Sequence, residues 1–129
     1  ILIENADHTH PNGATSYKIT IDGFTIVYST DCEHTNNKLN SNVLALAKDS
    51  DILIHDSHFS NEDLEKFKGW GHSSWGKAIE VAKEAKVKQL ILFHYNPNYN
   101  DEKIKNIEMK AKKEFQNTIA SKQGLKINF

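Results

Sequence analysis

Three apolar runs in this chain each end on a metal-ligating type of residue and pass at once into a polar loop: TIVYSTD, DILIHD and QLILFH. Short β-rich apolar runs read as buried strands. Side chains that follow such strands are held rigidly at one edge of a sheet, where several can converge. The histidines follow the same distribution. Of the seven, His10 lies in DHTHPNG, His34 beside Asp31 in YSTDCEH, His72 in GWGHSS and His94 in LILFHYNP. A single histidine is more often a hydrogen-bonded structural residue than a ligand. Several at strand ends point instead to a site for one or two divalent ions.

The rest of the chain alternates strand and helix. TSYKITI and FTIVYST, joined by Asp22-Gly23, predict a β-hairpin with a two-residue turn of positive φ. After the polar loop CEHTNNK, LNSNVLALAKDS places Leu39, Val43, Leu44 and Ala47 on one helical face, with Asn or Ser available as a cap. DILIH reads as a strand buried on both faces, followed by DSHFS and a short helix NEDLEKF capped by Ser60 or Asn61. HSSWGKAIEVAKEAK sets Trp75, Ala78, Ile79 and Ala82 on one face, and KQLILFH returns as a strand, which makes a βαβ-like crossover. DEKIKNIEMKAKKEF predicts a last helix with Ile104, Ile107, Met109 and Ala111 among lysines, and GLKINF a closing strand. Ile1 to Glu4 form an apolar run with no turn or cap before it, which reads as a start inside a domain.

Length and charge narrow the class. At 129 residues and 38% hydrophobic content, one domain spanning 1–129 with a sizeable core is expected. With 16 basic against 17 acidic residues, no global field would recruit nucleic acid or an anionic membrane. No apolar run approaches the ~20 residues that span a bilayer, and no signal peptide is visible. The single cysteine, Cys32, cannot form an intrachain disulfide, and a cytoplasmic protein is expected. Cys32 itself reads as a plain loop thiol ahead of a minor metal contact.

The ordered segments HPNGATSYKI, IVYSTDCEH, DILIHDSHF and GHSSWGKAIEVAKEAKVKQLILFHYNP resemble the second half of the metallo-β-lactamase fold hydrolases, in particular the branch of ribonuclease Z and phosphodiesterases. The resemblance spans almost the whole chain. It implies an α/β fold, the C-terminal half of the four-layer αββα arrangement, with a β-sheet carrying helices on its outer face. It also implies two divalent metal ions, zinc first and manganese or iron as alternatives. His10 matches the histidine on one metal, Asp31 the carboxylate that bridges both, and His94 the last histidine, on the second metal. His72 matches the histidine that donates a proton to the leaving group, and Asp56 the acid that orients it and favours its protonated form. The implied reaction is hydrolysis by metal-activated hydroxide, the His72 and Asp56 pair pointing to phosphodiester bonds. A small phosphodiester or an RNA would be the substrate.

Other residues have plainer readings. His55 and His58 flank Asp56 in an extended segment and would point elsewhere, as structural or supporting groups, and His8 and His34 are weaker candidates still. Trp70 and Trp75 bracket the catalytic loop and read as packing before substrate walls. The first-half signature HxHxDH of the resembled family is absent from this sequence. With His10 and Asp31 on one ion and Asp31 and His94 on the other, each metal falls short of the usual three or four protein ligands. The chain alone is therefore expected to be inactive, its site completed by the N-terminal half or by a second copy. A homodimer through an exposed sheet face is expected, and no membrane partner. The competing reading is a catalytically incompetent half-domain that serves as a binding or dimerisation module. A remoter one is a regulatory domain phosphorylated on Asp31, which leaves the histidines without roles.

Overall fold

The computed structural model describes residues 1–35 and 38–128. Asn36 and Asn37 of the CEHTNNK loop and Phe129 of GLKINF lie outside the described residues. The elements run β1 (Leu2–His8), β2 (Ala14–Ile21), β3 (Phe24–Ser29), α1 (Ser41–Ala47), β4 (Ile52–Asp56), α2 (Trp75–Glu84), β5 (Gln89–Phe93), α3 (Asp101–Glu114) and β6 (Thr118–Ala120). A 3₁₀ helix, Leu64–Phe67, stands between β4 and α2.

The strands form one six-stranded sheet in sequence order. β1, β2 and β3 pair antiparallel, and β3 to β6 pair parallel. Asp22 at φ 50° and Gly23 at φ 86° give the expected hairpin turn between β2 and β3, whose twist suits the flanking strands. Each parallel step returns through a helix. Right-handed crossovers that all advance in one direction put every helix on the same face of the sheet. Val27, Leu53, Leu90 and Leu92 of that face pack with Val43, Leu46 and Ala47 of α1, Trp75, Ala78, Ile79 and Ala82 of α2, and Ile107 and Ala111 of α3. Alternation along the strands sends Ile3, Tyr17, Ile19, Ile26, Tyr28, Ile54 and Phe93 to the opposite face together with the buried Ile52 and Ile91; among the described residues it carries no helix, and it leaves Ile3 60% and Tyr17 44% exposed.

Four sequence expectations need correction. Residues 124–128, the described part of GLKINF, form no strand: Gly124 sits in a turn at φ 80°, and the sixth strand is Thr118–Ala120 upstream, paired with β5 through Leu90↔Thr118. The NEDLEKF helix is reduced to one 3₁₀ turn; Ser60 does accept from the Asp63 amide at 3.2 Å, but Asn61 accepts from Gly76 N, at the start of α2. Met109 is half exposed and outside the core, because the α3 stripe facing α2 and β6 is narrowed to Ile107 and Ala111. Ile54 in β4 is likewise only half-buried, while Ile52 on the same face of the strand is buried as expected.

Candidate functional site

β1, β3, β4 and β5 all run in the same direction, so their C-terminal ends meet at one edge of the sheet. His10, Asp31, Asp56 and His94 stand at or just beyond those four ends. Crevices outside the carboxyl ends of parallel strands are where α/β proteins place ligands. Asp31 at φ 56° and His94 at φ 60° are held in the left-handed region, a conformation that non-glycine residues keep only where their surroundings enforce it. His72 arrives from the loop before α2, whose N-terminus is capped by Ser74 Oγ accepting from Lys77 N.

Asp56 is the hub. It is fully buried. Its Oδ2 accepts from the Asp31 amide at 2.9 Å and from His72 Nδ1 at 3.0 Å, and its Oδ1 from the amides of Ser73 at 3.0 Å and His58 at 3.1 Å. Burial pushes this carboxyl upward, but the His72 and His94 side chains together with the two amides outweigh it and hold the carboxyl well below the ordinary carboxylate range. Because Nδ1 of His72 carries the proton shared with Asp56, its Nε2 is left for the open side of the site. His94 Nδ1 lies 3.4 Å from Asp56 Oδ2. That approach is too poorly aligned to satisfy Nδ1, which is buried without a hydrogen-bond partner. The Asp56 carboxylate beside it nevertheless raises the His94 pKa, ahead of the lowering effect of burial.

Asp31 Oδ1 stands 3.8 Å from His10 Nε2 and 3.8 Å from His94 Nε2. These spacings exceed a hydrogen bond and suit groups arranged around an ion. His10, Asp31 and His72 form one convergent trio, and His58, His72 and His94 another. His10 Nδ1 is also buried without a partner. Imidazoles and a carboxylate that converge at such spacings are a donor set that divalent cations take, so the residues present fit a divalent cation.

A third trio, Cys32, His34 and His55, has comparable spacing but different hydrogen bonding. Asn40 N donates to His34 Nδ1 at 3.0 Å. His34 Nε2 therefore carries the proton and donates to His55 Nε2 at 3.2 Å, while His55 Nδ1 donates to the Asp56 carbonyl at 2.8 Å. Every ring nitrogen is thus engaged, in the tautomers opposite to those a metal would need at Nε2 of His34. Burial, with His55 next to it, lowers the His34 pKa to about 3, and burial pushes the Cys32 thiol up to about 12. The trio is a neutral strut behind Asp56, which gives His55 the structural place expected of it.

His8 and Glu33 take parts that sequence reasoning did not give them, and His58 fills the supporting place expected of it. His8 Nε2 donates to the carbonyls of Thr30 and Asp31 at 3.1 and 3.0 Å, and its Nδ1 lies 2.7 Å from Ser16 Oγ; it pins the strained Asp31 backbone. His58 donates from Nδ1 to the His94 carbonyl at 3.1 Å and stacks on His72 with centroids 4.4 Å apart. Glu33, nearly buried, accepts from Gly69 N at 2.6 Å and Gly71 N at 2.9 Å. Gly71 presses on His10: a Cβ there would lie 2.3 Å from His10 Cδ2. His8 had a signal in its place at a strand end, whereas Glu33 had none, since its partners are backbone amides of a distant loop.

The Beta-lactamase superfamily domain matches residues 3–95, and the chain belongs to that family. Ribonuclease Z of Lactobacillus acidophilus is 37% identical over 95 residues, which are 74% of this chain and 28% of that protein. Among solved structures, the metallo-beta-lactamase fold protein YhfI of Bacillus subtilis aligns with a TM-score of 0.75 at 22% identity, over 95% of this chain and 47% of that one. Human tRNase Z, short form, aligns with a TM-score of 0.70 at 18% identity, over 95% of this chain and 41% of that one. These likenesses establish the metallo-β-lactamase fold, and the family implies binding of divalent metal. The chain spans about 28% of the length of the ribonuclease Z it matches. Among the described residues no helix is long and apolar enough to cross a membrane.

Proposed function

We propose that this chain supplies part of the active site of a metal-dependent phosphodiester hydrolase, with RNA or a smaller phosphodiester as substrate. The observation that carries the reading is the Asp31 carboxylate, with one oxygen 3.8 Å from both His10 Nε2 and His94 Nε2. An anionic ligand set between neutral imidazoles is what two neighbouring cations require to offset their repulsion. His10 and His94 fall into different convergent trios, which supports two ions, with Asp31 within reach of both histidines. The donor set of imidazoles and carboxylates suits zinc, with manganese or iron as alternatives. Bound metal would supply the positive charge that lowers the pKa of water and polarises the phosphoryl group.

The chain's own residues would do the rest. Asp56 fixes His72 through Nδ1 and leaves Nε2 facing the crevice, where a protonated ring can give its proton to the leaving oxygen. His58 stacked behind His72 keeps that ring in place. Similarity to proteins named ribonuclease Z supports an RNA phosphodiester. The remaining ligands would come from an N-terminal half carrying HxHxDH or from a second copy, seated on the bare face of the sheet.

The test is elemental analysis of the purified chain, paired with hydrolysis of an aryl phosphodiester with and without that N-terminal half. Metal and activity that appear on complementation and vanish in His94→Ala support the reading. A complemented protein that holds no metal and cleaves nothing would replace it with a binding or dimerisation module.

A further inference from the structure

The two tryptophans part company in the structure. Trp75 is buried in the core, whereas Trp70, two residues before His72, is 61% exposed. An exposed tryptophan presents a large, flat and rigid apolar face on which a ligand ring can stack. The loop that presents it is fixed: the nearly buried Glu33 carboxylate holds the amides on either side of Trp70, those of Gly69 and Gly71, and both glycines adopt the positive φ this grip requires. The ring is also connected to the site. Trp70 meets Phe67 edge to face at 5.2 Å, Phe67 stacks on Phe59 at 4.8 Å, and Phe59 contacts His72 at 6.1 Å.

We propose that Trp70 is a stacking platform for a nucleobase of the substrate, held in order by the Glu33 clamp and joined to His72 through Phe67 and Phe59. This deepens the hydrolase reading and rests on it. The neighbouring charge selects this occupant over an apolar protein segment. Lys66 is already paired with Asp63 at 2.8 Å, but Lys68, exposed on the same loop, makes no ion pair among the described residues. An aromatic face with an unpaired cation next to it is the pairing that single-stranded nucleic acid takes, base on ring and phosphate on ammonium. A rigid loop adds affinity because little order remains to be lost on binding.

The experiment compares adenosine 5′-monophosphate with ribose 5-phosphate, which differ in the base at C1′, on the zinc-supplemented protein completed by its N-terminal half, by calorimetry and by the part of the tryptophan fluorescence that Trp70→Leu removes. The expected result is a preference of about tenfold for the nucleotide, the scale of one base–aromatic stack, lost in Trp70→Leu, largely kept in Trp70→Tyr, and accompanied by unchanged zinc content. Lys68→Ala should weaken both ligands alike. Equal affinity for the two ligands, or a preference that survives Trp70→Leu, overturns the platform while retained zinc leaves the hydrolase reading standing. Iodide quenching that is the same in Trp70→Leu as in the parent protein before ligand is added also overturns it, since another protein surface would then cover the Trp70 ring. Absence of zinc together with failure to bind either phosphate overturns both.

Discussion

At the scale of single residues the site depends on groups that never face a ligand. Asp56 accepts four hydrogen bonds in full burial, and Asp56→Asn turns one acceptor atom into a donor facing donors. A loss of about 2–4 kcal/mol in urea denaturation is expected, on the scale of unsatisfied buried groups. The sign of the pH effect follows from the depressed pKa. Its carboxylate contributes stability that is present above the unfolded value of about 3.9 and is lost as pH falls through the lower folded value, so Asp56→Asn should flatten the acid limb of the stability profile. His94 behaves in the opposite sense. Its pKa is raised, so the stability from its proton is present below the ordinary value of about 6.5 and lost as pH rises through the folded value. Metal must displace that proton, and zinc titrations near pH 7 in buffers of different ionisation enthalpy should register proton release, reduced in His94→Ala. Gly71→Ala, which drives a methyl into the His10 ring at a φ of 84°, should lower zinc affinity in a competition with a chromophoric chelator while leaving the circular dichroism unchanged.

At the scale of elements, the caps decide how firmly the loops are seated. Ser74 closes the first turn of α2 immediately after the His72 loop, and Ser74→Ala should cost about 1 kcal/mol by chemical denaturation. Much of this layer was legible in the sequence. TIVYSTD, DILIHD and QLILFH each combine an apolar run with a ligand-type ending, and the hairpin announces itself through Asp22-Gly23, because those signals are local. β6 was hidden for the complementary reason: three residues are too few to show alternation, and GLKINF, though β-rich in composition, follows a glycine in a turn. Glu33 and the Cys32–His34–His55 strut were illegible because their roles consist of contacts with backbone groups and rings brought near only by the fold. The resemblance carried the assignment of His10, Asp31 and His94, and the pairing of His72 with Asp56 is the part of that assignment visible as a direct contact.

At the scale of the molecule, one face of the sheet bears the helices, and the other, apolar face bears none among the described residues, buried at Ile52 and Ile91 but open toward β1 and β2. Isoleucines and tyrosines on the bare side, exposed by 38% at Tyr28 and 60% at Ile3, form the kind of contiguous patch that soluble proteins cover with another surface. Light scattering should find the isolated chain self-associated, and Ile26→Lys with Tyr28→Lys should return it to monomer; a wild-type monomer at high concentration would remove the case for a docking face. Cys32, by contrast, lies on the helix side of the same sheet edge, one residue from Asp31, fully buried and with a thiol that stays protonated through the neutral range. It is also the sole cysteine of the chain. A maleimide can therefore reach it only during moments when the strand ends part, which turns its alkylation rate into a clock for breathing of the site. That clock should slow when metal or a complementing half locks the edge shut.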